Sequence, residues 1–165
     1  MSTYTTKLFG ELVFDEKNRI GNQKSFSLSY NDVPINISLD DFDGNEEKTE
    51  KCLEIIDRYS EIHEIALNAI VENYASSEVI RYYFKFHFET LDKEILVQLF
   101  GSSDYSTFSI EKISRQFEYP NLVFIQEFDE ICFSVKYRLS NDFSQEVLCV
   151  KMDENLNVLD FDREA

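Results

Sequence analysis

The sequence predicts an α+β fold in which a mainly antiparallel sheet packs against central helices, in the order β-β-β-α-α-(α)-β-β-β-β. Three observations predict it: period-two alternation near the N-terminus, a helical period through the middle, and a return to alternation in the last third. The 165 residues are 43% hydrophobic and 15% aromatic, with 4 Gly and 2 Pro, enough apolar material for one core and little that resembles a linker. A single domain over 1–165 is therefore expected.

The first strand is expected over Leu8 to Phe14, the next two over Ser25 to Tyr30 and Val33 to Leu39, joined through Asn31 and Asp32. Val33, Ile35, Ile37 and Leu39 alternate with Pro34, Asn36 and Ser38, the pattern of a half-buried strand, and Pro34 places itself at an edge or at the strand start. An acidic loop, Asp40 to Asn45, follows. From Glu46 to about Tyr74 the period becomes helical, with Cys52, Ile55, Tyr59, Ile62, Ala66 and Ile70 on one apolar stripe. On the opposite face Glu50, Glu54, Asp57, Glu61, Glu64, Asn68 and Glu72 form one narrow row.

Ser77 to Leu91 fits two periods, because Ile80, Tyr82, Phe84, Phe86 and Phe88 alternate while Ile80, Phe84, His87 and Leu91 share a helical face. A helix is the expected form. Shorter helical segments are expected over Asp92 to Phe100, stopped by Gly101, and over Thr107 to Ser114. Strands are expected at Leu122 to Glu127, Ile131 to Leu139, Val147 to Met152 and Leu156 to Phe161, with polar turns at Ser140 to Ser144 and Asp153 to Asn155.

The residues offer little for catalysis. The two histidines, His63 and His87, both fall on apolar helical faces, where a hydrogen-bonded core role is expected. Cys52, Cys132 and Cys149 lie among apolar neighbours without CxxC spacing, so core positions are expected for them and neither a disulfide framework nor a zinc site is. No nucleophile elbow, P-loop or dinucleotide-binding glycine pattern occurs. Two calcium-loop alignments fail: one, with Gly44 sixth, places Leu39 first, and the other, starting at Asp153, places Val158 where glycine is needed. No metal and no cofactor are expected.

The charge is the clearest functional feature. With 32 acidic and 16 basic residues the formal net is -16, which repels phosphate backbones and anionic lipid and favours basic partners. Neither nucleic acid nor membrane is an expected partner, and the polar start and lack of long apolar runs suggest a cytoplasmic protein. Between Asp40 and Glu64 there are ten acids against three bases. A solvated helix face accounts for such a row, and so does a docking surface for a basic protein, with Leu53, Ile65 and Val71 as apolar flanks. The expected partner-binding residues are Asp41, Asp43, Glu50, Glu54, Asp57, Glu61, Glu64 and Ile65.

Phe9-Gly10-Glu11-Leu12, the stretch Tyr83 to Leu91, Tyr119-Pro120 and the stretch Val150 to Asn155 resemble, in that order, a bacterial domain-of-unknown-function family, the one numbered two thousand and four. The resemblance implies a histidine-bearing helix over 77–91. It carries no catalytic residue, because the family has no established activity. In size and charge its small acidic members look similar to immunity proteins, which bind and block toxins delivered by competing bacteria. The expected function is therefore a non-enzymatic binder of a basic protein, in its specific form an immunity protein against a toxin effector. The alternatives are a small enzyme built on carboxylates and His87, and a regulatory subunit.

Overall fold

The computed structural model describes residues 2–140 and 142–165. The chain opens with a hairpin, β1 (Ser2–Thr6) against β2 (Gly10–Phe14). The strand expected from Leu8 thus starts at Gly10, whose φ of +69° suits glycine and closes the loop over residues 7–9. Within that loop the Thr6 hydroxyl donates to the Gly10 carbonyl and accepts from the Phe9 amide, each at 3.0 Å. Leu12 and Phe14 point inward and are buried, while Val13 between them is exposed.

A short 3-10 turn at Glu16–Asn18 leads into β3 (Arg19–Ile20), β4 (Gln23–Tyr30) and β5 (Val33–Asp40). Asn31 and Asp32 have φ of 48° and 64°, the paired left-handed geometry of a tight hairpin turn. Pro34 sits at the start of β5, as its missing N–H requires. After the helices come β6 (Glu118–Glu127), β7 (Glu130–Arg138), β8 (Val147–Asp153) and β9 (Val158–Glu164). The turn expected over 140–144 includes Asn141, which lies outside the described residues.

Strands β3 to β9 form one seven-stranded sheet in sequence order, antiparallel throughout except where β5 meets β6. There the strands are parallel, with Ile37 beside Leu122 and Leu39 beside Phe124. Parallel neighbours cannot be joined by a tight turn. The α-helices of the described residues lie in that crossover: α1 (Glu46–Ile56), α2 (Tyr59–Asn73), α3 (Glu78–Thr90), α4 (Lys93–Phe100) and α5 (Ile110–Ser114).

Register separates the two sheet faces. Phe26, Ile37, Leu122, Val135 and Val150 form one row across the sheet, all at 5% exposure or less. Against this face pack the apolar sides of the helices, including Ile56, Ile62, Ile70, Ile80 and Phe84, each at 0%. Ser27, Asn36, Asn121 and Lys136 form a row on the other, more polar face.

The helix expected as one piece over 46–74 is two. It breaks after Asp57, at Arg58, whose φ of -97° and ψ of 20° leave the helical range. The helical form expected over Ser77 to Leu91 is realised: Ser77 caps α3 by accepting from the Ile80 amide at 3.3 Å. Gly101 ends α4 in the left-handed conformation, with φ of 69°. The segment expected from Thr107 becomes helical only at Ile110. None of the described helices is long and apolar enough to cross a membrane.

Removing side-chain volume at the parallel seam should be costly. Ile37→Ala, at 0% exposure, is expected to lower unfolding stability by about 2–5 kcal/mol in urea titrations. Val97→Ala, on the 52% exposed face of α4, should change it by less than about 0.5 kcal/mol.

Candidate interaction site at the acidic face of α1

Asn45 caps α1, its side chain accepting from the Lys48 amide at 3.2 Å. Glu46 and Glu47 then occupy the first turn, where the helix dipole favours negative charge. Cys52, Ile55 and Ile56 turn inward and are buried, which leaves Glu50 and Glu54 exposed and Leu53 half-buried between them. Strand β1 lies alongside. Two adjoining hollows separate them, one of about 450 Å³ reaching Asp41 and Lys24 and one of about 360 Å³ reaching Lys7 and Asp57. Glu50 and Leu53 line both.

The residues expected on one binding row are sorted by their own contacts. Asp57 is engaged internally: its Oδ1 accepts from the Lys7 amide at 2.7 Å and the Leu8 amide at 2.9 Å, tying the break after α1 to the β1–β2 loop. Glu61 receives two bonds from the Arg58 guanidinium, at 3.0 and 2.9 Å, which hold its carboxyl below the usual range. Glu64 faces Arg115 at 3.7 Å. Asp41 lies 3.5 Å from the Lys24 ammonium and 3.8 Å from the Arg19 guanidinium. Ile65 is half-buried and packs against the core. Asp43, Glu50 and Glu54 are exposed. Among the described residues these three have neither an ion-pair nor a hydrogen-bond partner.

The histidines are structural. His87 is at 0% exposure, with Nδ1 2.7 Å from the Tyr83 carbonyl and Nε2 2.7 Å from the Ser144 hydroxyl. A carbonyl can only accept, so Nδ1 carries the proton and Nε2 accepts from Ser144, whose oxygen in turn accepts from the Glu146 amide at 3.1 Å. Both nitrogens are thus engaged inside the core. His63 stacks on Tyr59 and pairs through Nδ1 with the Tyr137 hydroxyl at 2.9 Å. Burial depresses the pKa of both rings.

The three cysteines are buried, and burial pushes the Cys52 and Cys149 thiols up to about 12, which keeps them protonated and poor nucleophiles. Asp153 uses its carboxylate on the Asn155 and Asn157 amides, both at 2.9 Å, and so builds the β8–β9 turn.

The sequence reading missed two cations drawn into the fold. Lys24 donates to the Tyr4 hydroxyl at 2.7 Å and lies 5.6 Å from the Phe14 ring centre. Arg163 lies 4.3 Å over the Tyr82 ring and donates to Glu146 at 3.0 Å, fastening β9 to α3. Their partners are distant in sequence, and periodicity does not report such pairs. No known protein family, curated protein or solved structure matches the chain.

The Asp57 carboxylate should contribute measurably to stability. Asp57→Ala is expected to cost about 0.5–1.5 kcal/mol, the net scale of hydrogen bonds whose exposed amide donors water can satisfy instead, while Asp57→Asn, which keeps an acceptor oxygen, should cost less. Chemical denaturation of both variants measures the difference.

Stability should also depend on pH through the two rings. Each folded pKa lies below the ordinary value of 6.5, so between the two values the unfolded chain binds more protons. The histidine contribution is therefore complete above 6.5, declines as pH falls below it, and levels off beneath the folded pKa values. Urea midpoints should fall from pH 7.5 to pH 5.5, and by less in His87→Gln than in the wild type.

Proposed function

We propose that this protein is a non-enzymatic binding domain that presents the acidic face of α1 and its preceding loop to a basic protein partner. The observation that carries the proposal is the division of labour among the acids. Asp41, Asp57, Glu61 and Glu64 are occupied by groups of this chain, whereas Asp43, Glu50 and Glu54 have no such partner among the described residues, and Glu50 and Glu54 line hollows floored in part by Leu53.

Glu50 and Glu54 stand one helical turn apart, and like charges at that spacing cost roughly 0.2–0.5 kcal/mol. Lys51 lies 4.0 Å from Glu47 and is directed to that acid rather than to the pair. A lysine or arginine from a partner would relieve this repulsion, while Leu53 offers an apolar contact beside it. The net charge of -16 would steer a basic protein toward the molecule from a distance. A toxin effector neutralised by direct binding is the specific partner class, in keeping with the size and charge of immunity proteins and with the family resemblance.

Co-expression with the product of the neighbouring gene, followed by pull-down and titration, tests the proposal. The double variant Glu50→Lys, Glu54→Lys is expected to weaken binding by at least about tenfold, the scale of losing close interfacial charge pairs. Glu61→Lys, which alters a carboxylate already satisfied by Arg58, should have a much smaller effect, and affinity should decline as salt rises. Equal losses from both variants, or no loss from either, would overturn the assignment to α1.

A further inference from the structure

Two tight hairpin turns of the large sheet share one backbone geometry and are filled differently. Between β4 and β5 the central pair is Asn31-Asp32, with φ of 48° and 64°. Between β6 and β7 it is Phe128-Asp129, with φ of 50° and 65°, and Glu127 faces Glu130 across the turn. This left-handed pair suits Gly, Asn and Asp, since Gly has no Cβ to crowd the carbonyl and the short polar side chains bond locally. Phe128 fits neither description.

Its ring also buries almost nothing inside the fold. At 94% exposure it is the most exposed of the large apolar side chains among the described residues. Exposure alone would need no explanation, because isolated apolar side chains are common on surfaces. The left-handed backbone is what singles Phe128 out, since a bulky residue held there marks a functional contact more often than a structural one.

The turn stands at the end of the sheet where the acidic loop leaves β5. Leu39 lies beside Phe124 in parallel register, so β6 carries the turn roughly 10 Å past the level of Asp40. At the same end Asp153 pairs with Cys132, which sets the β8–β9 turn beside the start of β7. Glu154 and Asn155 of that turn share a hollow of about 180 Å³ with Lys51, Glu54 and Ile55 of α1. Phe128 and the acidic side of α1 therefore belong to one end of the molecule.

The residues around the ring are acids. Glu127 pairs with Lys151, and Asp129 accepts from the Gln126 Nε2 at 3.1 Å. Glu130 and Glu154 are exposed and have neither an ion-pair nor a hydrogen-bond partner among the described residues. A second copy would bring its own net charge of -16 to this end, and anionic lipid is repelled in the same way. What complements an aromatic ring among carboxylates is an apolar pocket rimmed by lysine or arginine. We infer, on the strength of the basic partner proposed for α1, that Phe128 is the apolar anchor of that same contact, its ring entering a pocket whose basic rim faces Glu130 and Glu154.

The fold supplies its own control, because Phe128→Asn gives this turn the central pair found at 31–32. Urea unfolding is expected to show a higher midpoint for Phe128→Asn than for the wild type. In titrations with the purified product of the neighbouring gene, the same variant should bind at least about tenfold more weakly, the scale of an aromatic anchor. Phe128→Met, which keeps apolar bulk, should lose less. Wild-type affinity in Phe128→Asn, alongside weak binding by the Glu50→Lys, Glu54→Lys chain, would overturn the anchor and leave the acidic face of α1 standing. The reverse pattern would support the anchor and count against α1. A lower urea midpoint for Phe128→Asn would also overturn it, by showing that the ring serves the fold. So would self-association, or retention on neutral phosphatidylcholine vesicles, that Phe128→Asn abolishes, since a second copy or a membrane would then be the occupant. No binding of that product by the wild-type chain would overturn both proposals.

Discussion

The backbone hydrogen bonds between β5 and β6 run in parallel register, and the rest of the molecule is arranged around that seam. Ile37, Leu39, Leu122 and Phe124 meet there at 1% exposure or less. On one side of it the sheet consists of strands from the start of the chain, on the other of strands from its end. Because two parallel neighbours cannot be closed by a hairpin, the intervening chain must travel back across the sheet. It does so as helices, whose apolar sides cover the inner face. The aromatic contacts among Tyr83, Phe84, Phe117 and Tyr137 extend that packing from α3 to β7.

The β1–β2 hairpin is fixed by the same arrangement and in turn borders the hollows beside α1. Its inward residues Leu12 and Phe14 are buried, with Phe14 against Phe26, and its loop is bound by Asp57 at the end of α1. One edge of the hairpin therefore lies along α1 and the other along β4.

Much of the architecture was legible in the sequence because strong periodicity reflects burial. The alternation from Val33 to Leu39 marks β5, and the stripe through Cys52, Tyr59 and Ile70 marks α1 and α2 even though the chain breaks between them. β1 escaped because Ser-Thr-Tyr-Thr-Thr has a single apolar side chain and gives no alternation, although its threonines suit a strand. The break at Asp57 is caused by no proline or glycine, and the bond that accompanies it reaches a loop about fifty residues away in sequence. The acid row was legible as composition only. On a helical wheel Glu54 and Asp57 look alike, and what separates them is the hairpin loop that one of them binds.

The central claim is that the parallel seam makes the strands from both ends of the chain one cooperative unit. Native-state hydrogen exchange measures this directly, by comparing the opening free energies of amides in β5, such as Ile37 and Leu39, with those in β7 and β8, such as Val135 and Val150. The structure predicts that both groups exchange only through the same global opening, with equal free energies and equal sensitivity to denaturant. Separate opening of β4 and β5 at lower free energy, with β7 and β8 still protected, would contradict it.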